Sequence, residues 1–258
     1  MKKYPPPFRW TESFVYSQST FSFPITPTVD QVHRTKGYKG ASTVVALGLD
    51  PAVYHRAEDI GAIRNELGVQ DGEVLIGFLG RIVPEKGLST LLHGLNHIRD
   101  LKWRLAVIGS GPFEPELDRL IRELSLSERV IRKGYIPHPD APKYLSAFDI
   151  TILPSETQSN WSEQFGRVLT ESLACGTPVI GSSSGEIGRL VNELGGGLVF
   201  PERDAAGLAA AVTSLLNSSK TRKDMAERGR QAVLKSYTTQ ILAERFAETI
   251  RATTHSVN

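Results

Sequence analysis

The chain has 258 residues, 40% of them hydrophobic and 22% charged, with a formal net charge of +2. That composition suits a globular protein of one large domain, and the near-neutral balance argues against a nucleic-acid partner. A single cysteine, Cys175, excludes a disulfide framework within the chain and points to a reducing compartment.

In chain order, the opening "MKKYPPPFRW" has two lysines but no apolar run behind them, so it does not read as a secretory leader. No apolar stretch reaches the roughly 18 residues of a membrane span, although peripheral contact with a membrane is compatible with the sequence. The prolines cannot continue a helix or a central strand. "SQSTFSFPITPTVD" reads as a short strand and a turn, followed by a helix over 29–38. Phe14, Tyr16, Phe21 and Phe23 are expected to form an apolar surface that wants a partner.

From about Lys39 the pattern becomes regular. The β-branched run at 43–48, "TVVALG", predicts a strand. "EDIGAIRNELG" predicts a helix stopped by Gly68. "EVLIGFLG" is nearly continuous in apolar residues, as in a strand buried on both faces. There follow a helix in "GLSTLLHGLNHI", a strand in "WRLAVIG" and a helix in "PFEPELDRLIREL" with proline near its start. "VIRKG" is a strand, "APKYLSAF" a helix and "DITILP" a strand. "FGRVLTESLACG" is a helix closed by Gly176, "TPVIGS" a strand, "EIGRLV" a helix and "GGLVF" a strand. Three helical stretches complete the chain from about Asp204. This alternation predicts an α/β protein with a doubly wound parallel sheet. Ligands of such sheets bind outside the carboxyl ends of the strands, so the strand-to-helix loops are the place to look.

Two loops stand out. In "GFLGRIVPEKGLSTLL" a strand ends near Leu79 and a helix starts near Gly87. Gly77 and Gly80 permit close backbone approach, and Arg81 and Lys86 flank the helix N-terminus. Free N–H groups, a positive dipole end and two cations suit a phosphate, although a solvated basic turn has the same composition. The second loop, "SETQSNWSEQFG", is long and polar and ends in Glu163. Glu163 alone reads as a helix cap. Glu171 lies farther along, between Leu169 and Leu173, where a carboxylate is costly unless it accepts hydrogen bonds. The vicinal hydroxyls of a sugar would supply them.

The stretches "GRIVPEKG", "VIGSGP", "GYIPHPDAPKYLSAFDITILPS", "EQFGRVLTESLACGTPVI" and "GEIGRLV" together resemble the carboxyl-terminal half of a family-4, retaining GT-B glycosyltransferase. The resemblance runs from about Gly37 to the end, with the motifs in the family's order. It implies a Rossmann-like domain over 39–258 that binds a nucleotide-sugar, with Glu163 on the sugar hydroxyls and Glu171 on the ribose. Arg81 and Lys86 would hold the diphosphate. Gly80, the backbone of Gln164, Phe165 and Gly166, and Val168 would lie against the donor, with the base near Tyr135 and Ile136. No metal or other cofactor is implied. The implied substrates are a UDP-, GDP- or ADP-linked sugar and a sugar or lipid-linked acceptor, as in polysaccharide biosynthesis. The implied location is cytoplasmic, including the membrane surface.

Residues 1–38 resemble only a remnant of the family's amino-terminal acceptor domain. A partner chain carrying that domain, or self-association, is therefore expected, as is a truncated or split enzyme. A binding protein without transfer is the alternative. A nicotinamide-binding enzyme is disfavoured because neither "GFLGRI" nor "VIGSGP" supplies the Gly-x-Gly-x-x-Gly turn with its acidic partner.

Weaker signals have ordinary readings. His93 and His97 have metal-like spacing but no third ligand. His138 reads as a turn residue and Cys175 as packing. Trp161 reads as either a stacking surface or a loop anchor. Ser155 and Glu156 lie at a strand end, within reach of a nucleotide. Glu186 reads as a helix cap.

Overall fold

A computed structural model describes residues 5–255. Residues 1–4 and 256–258, which belong to the two expected segments, lie outside the described residues.

The first four elements form a small layer: α1 (Phe8–Gln18), β1 (Phe21–Ser22), α2 (Pro27–Thr35) and β2 (Ala41–Ser42), with β1 and β2 parallel. Helix α1 was not expected from the sequence. Its prolines do not interrupt it, because Pro7 occupies the N-cap, where a missing N–H costs nothing. Helix α2 begins earlier than the predicted 29–38, because the Thr26 hydroxyl accepts the Val29 N–H at 3.3 Å and Pro27 takes the first turn. It ends at Thr35, short of Gly37, whose φ is +105°.

The predicted strand at 43–48 is not formed. Two backbone bonds, Thr43 to Ser22 and Val45 to Pro24, continue the small sheet briefly. The segment then crosses to the main body, so no ladder partner runs beside it. At Leu49 it forms a parallel bridge to Thr238.

The main body follows the expected alternation. Helix α3 (Gly61–Glu66) leads into β3 (Val74–Leu79), α4 (Leu88–His97), β4 (Trp103–Ile108), α5 (Glu114–Glu123), β5 (Val130–Lys133) and α6 (Ala141–Ala147). Then come β6 (Ile150–Leu153), α7 (Arg167–Ala174), β7 (Val179–Ser182), α8 (Ile187–Leu194), β8 (Gly197–Phe200), α9 (Ala205–Leu216), α10 (Ser219–Ser236) and α11 (Thr239–His255). The six strands β3–β8 form one parallel sheet in the order β5-β4-β3-β6-β7-β8. The chain therefore reverses its direction of winding between β3 and β6, which opens a crevice at their carboxyl ends.

Both sheet faces are covered, which explains the continuous apolar runs. Side chains alternate between faces along each strand. Leu75, Ala106 and Ile108 join Leu145, Leu169, Leu173 and Val191 on one side. Ile76, Phe78, Val107, Ile150 and Ile180 join Leu91, Leu95, Leu117 and Val212 on the other. Each fully buried Leu or Ile contributes roughly 1.5–3 kcal/mol, so these two layers fix the strand ends from which the site loops project. Among the described residues no helix is long and apolar enough to cross a membrane.

Candidate functional site

A cavity of about 280 Å³ opens at the carboxyl ends of β3, β4 and β5. Gly80 and Arg81 follow β3, Gly109 and Ser110 follow β4, and Tyr135 and Ile136 follow β5. Tyr54, His138 and Glu171 line it as well. Six of the residues singled out in the sequence thus meet in one place: Gly80, Arg81, Tyr135, Ile136, His138 and Glu171. Arg81 is 68% exposed and, among the described residues, has only a 3.9 Å contact with Glu85, so its guanidinium is available to a ligand. The Tyr135 ring is exposed at the rim.

Glu171 sits 6% exposed on the second turn of α7. The protein supplies a partner of its own, beside whatever the expected sugar hydroxyls would add. Arg167 Nε donates to Oε1 at 2.8 Å across one helical turn. The Tyr54 hydroxyl lies 2.7 Å from His138 Nε2, and His138 Nε2 lies 3.8 Å from Oε1. Burial still dominates and holds the Glu171 pKa above the ordinary carboxylate range, against the opposing pull of Arg167, Tyr54 and His138.

Lys86 and Glu163 lie outside this cavity, in the crevice between the loops after β3 and β6. They contact each other: Lys86 Nζ donates to Glu163 Oε2 at 2.5 Å, and both side chains are largely buried. Ser155 Oγ donates to the same oxygen at 3.0 Å. The Lys86 ammonium lies over the Trp161 ring, 5.3 Å from its centre. Trp161 therefore anchors the loop through this cation, with Gln158 and Trp161 paired across the turn. Glu163 does not cap α7, whose N-cap is Gly166 at φ +79°.

Two glycines hold this pair in place. A Cβ on Gly87 (φ +65°) would lie 1.9 Å from the Pro154 carbonyl oxygen. One on Gly185 (φ +53°) would lie 2.0 Å from the Glu163 carbonyl oxygen. A side chain at either position would push apart the loops that carry Lys86 and Glu163.

The rest of the long loop is tied down by its neighbours. Glu156 accepts from Thr90 Oγ1 at 2.6 Å, and Thr157 N–H donates to Glu202 at 2.7 Å. Glu156 is thereby committed to loop structure. Gln164 is exposed, whereas the Phe165 side chain is buried in the core, 6.1 Å from the Tyr237 ring. Val168 is half-buried against the same core. Whatever Phe165 offers a ligand is backbone only.

Tyr54, Arg167 and Ser110 were not singled out in the sequence. Arg167 was findable, because it precedes Glu171 by four residues on a predicted helix. Tyr54 precedes Glu171 by more than a hundred positions, with no spacing to betray it. Glu186 occupies the N-cap position of α8 as expected, but its side chain makes no capping hydrogen bond: it accepts the Thr28 N–H at 3.2 Å and pairs with Arg189 Nε at 2.5 Å. His93 and His97 are exposed on α4. Among the described residues no group of three or more His, Cys, Asp or Glu side chains is placed to hold a metal.

Three comparisons with known proteins bear on this arrangement. A family model described as "Glycosyl transferases group 1" matches residues 59–232. The 2-deoxystreptamine N-acetyl-D-glucosaminyltransferase of Streptomyces fradiae is 28% identical over 170 residues, covering 62% of this chain and 38% of that protein. A GDP-mannose-dependent monoacylated alpha-(1-6)-phosphatidylinositol monomannoside mannosyltransferase of Corynebacterium glutamicum is 30% identical over 199 residues, covering 76% of this chain and 51% of that protein. The chain spans about half the length of the curated relatives it matches. Among solved structures, Alr3699/HepE of Anabaena in complex with UDP superposes with a TM-score of 0.86 at 22% identity, covering 95% of this chain and 67% of that one. That likeness establishes the shared fold.

Proposed function

The chain belongs to the group 1 glycosyl transferases, and from that premise we propose that its cavity binds a nucleotide-sugar donor for transfer with retention, as in family 4 of GT-B enzymes. The observation that carries this reading is the convergence of Arg81, Tyr135, Ile136 and buried Glu171 in one cavity beside the Lys86–Glu163 pair. In this reading the base lies against Tyr135 and Ile136, and the ribose hydroxyls donate to Glu171. The diphosphate meets Arg81 and Lys86. Glu163, released from Lys86, accepts from the sugar hydroxyls. The backbone at Gln164, Phe165 and Gly166 and the side chain of Val168 complete the donor wall, with Gly80 beneath it.

Charge builds on the leaving nucleoside diphosphate as the glycosidic bond breaks, and fixed cations aimed at that charge lower the barrier. The sugar would be a hexose and the acceptor a sugar or lipid-linked sugar, which would bring a cytoplasmic enzyme to the membrane surface. Residues 1–38 would belong to the acceptor side, and 39–258 would be the donor domain. That the chain spans about half of its relatives favours a second reading, in which it binds the donor but transfers only when joined by an acceptor domain.

Calorimetric titration with UDP, GDP, ADP and their hexose conjugates tests the reading. One nucleotide is expected to bind in preference, and Arg81→Ala and Glu171→Ala are each expected to weaken it by about tenfold or more. Absence of binding by the folded chain would defeat the reading.

A further inference from the structure

The cavity opens at the ends of β3, β4 and β5, whereas Glu163 is held from the loops after β6 and β7. Ser155 Oγ donates to its carboxylate, and the Glu186 N–H donates to its carbonyl at 3.0 Å. Behind Ser155 stands a run of hydroxyls. Ser182 Oγ donates to the Ser155 carbonyl at 2.5 Å and accepts the Ser184 N–H at 3.3 Å. Ser184 Oγ pairs in turn with Thr157 Oγ1 at 3.0 Å. Ser155, Ser182 and Ser184 are buried, so each depends on these partners.

The run ends on the loop after β8. Thr157 lies past the end of β6, outside the sheet, yet one dipeptide takes both of its backbone polar groups. Its N–H donates to Glu202 Oε2 at 2.7 Å, and its carbonyl accepts from Arg203 Nη2 at 2.5 Å. A carboxylate and a guanidinium thus stand in for the acceptor and donor of a neighbouring strand. Arg203 Nε also reaches Glu156 Oε2 at 3.3 Å, and the Glu202 N–H donates to Ser183 Oγ at 3.0 Å. To reach both groups, Arg203 is held at φ +63°, a left-handed conformation that only Ser125 shares among the described non-glycine residues. Such strain persists where surrounding contacts enforce it, and it collects at functional sites.

We infer, resting on the donor-site reading above, that Glu202 and Arg203 are positioning residues that clamp Thr157 and, through Ser155, aim the Glu163 carboxylate at the sugar of the donor. Neither residue lines the cavity. The donor is therefore held in two separately supported halves. Arg81, Tyr135 and Glu171 are carried by β3, β5 and α7 and meet the nucleotide end. The loop after β6, locked by the β8 clamp, meets the sugar end. Releasing the clamp frees Ser155 to shift and misaims Glu163, while the supports of the nucleotide end stay in place.

Calorimetry tests this with UDP, GDP and ADP and their hexose conjugates, in the wild type, Glu202→Ala, Glu202→Gln, Arg203→Ala and Arg203→Gly. Glu202→Ala and Arg203→Ala should weaken the hexose conjugate by roughly fivefold or more and leave the bare diphosphate within about twofold. Glu202→Gln keeps an acceptor for the Thr157 N–H and should recover most of that loss. Arg203→Gly suits φ +63° but lacks the guanidinium. It should match Arg203→Ala, and it decides alone if that variant fails to fold. Equal loss for conjugate and bare diphosphate in the folded variants, or no loss for either, overturns the inference and leaves the donor site standing. A wild type that binds a diphosphate but no conjugate also overturns it and leaves only the nucleotide end. A folded wild type that binds neither overturns both readings.

Discussion

Glu171 combines the binding role proposed for it with a cost to the fold. Its pKa is raised by burial, and a raised folded pKa contributes stability only below the unfolded pKa, stability that is lost as pH rises through the folded value. Glu171→Gln should therefore be more stable than the wild type at about pH 8, by roughly 0.5–2 kcal/mol, while losing nucleotide affinity. The gap should close as the pH falls below the raised pKa, where both side chains are neutral. Thermal scans across that range check it, and a variant less stable than the wild type at every pH would contradict it. The site was partly legible at this scale. Arg81 was named from its strand-end loop and Glu171 as a carboxylate inside an apolar helix, whereas Tyr135 and Ile136 came from the family resemblance. The Lys86–Glu163 contact spans 77 positions, and sequence spacing carries no trace of it. The two residues were assigned to separate parts of a ligand, whereas in this structure each is the other's partner.

Among the elements, the alternation from β3 to β8 was readable because strands buried on both faces admit little but apolar side chains. The run at 43–48 misled for a related reason. Its β-branched composition satisfies a strand, but it spans two bodies and lacks neighbours, and propensity does not supply a ladder. The start of α8 shows how tertiary contacts override a local rule. Glu186 is buried beneath α2, where it takes the Thr28 N–H and the Arg189 guanidinium instead of capping its own helix. Burial pushes its pKa up, but those hydrogen bonds outweigh burial and hold it below the ordinary range. A lowered folded pKa contributes stability above the unfolded pKa, and that stability is lost as pH falls through the folded value. Glu186→Gln should therefore cost about 1–3 kcal/mol near neutrality, and the difference should vanish in acid. Unfolding midpoints of the two proteins from neutral pH downward measure this. The sign is opposite to that of Glu171→Gln, so the pair separates a structural carboxylate from a ligand-binding one.

At the scale of the whole molecule, apolar side chains are exposed as expected, but of the four expected residues only Phe14 is among them. Phe8, Trp10, Phe14 and Val15 are exposed around α1. Tyr16 instead packs against His33 and Tyr38, and Phe23 against Phe21 and Phe246. Such a face promotes association. Sedimentation velocity should show concentration-dependent association that Phe8→Ser with Phe14→Ser abolishes; a monomer at all concentrations before substitution would contradict this. The small layer that bears this face joins the main body by one covalent crossing, at 43–49. Helix α11, whose Phe246 packs on Phe23, joins by a second, at 237–239. The two crossings touch: Leu49 N–H donates to the Tyr237 carbonyl at 3.0 Å and Thr239 N–H to the Leu49 carbonyl at 2.8 Å. Mechanically this is a single pivot, with the Thr28–Glu186 bond as a latch at some distance from it. Leu49, where the two crossings meet, lies five residues before Tyr54, which lines the cavity together with Glu171.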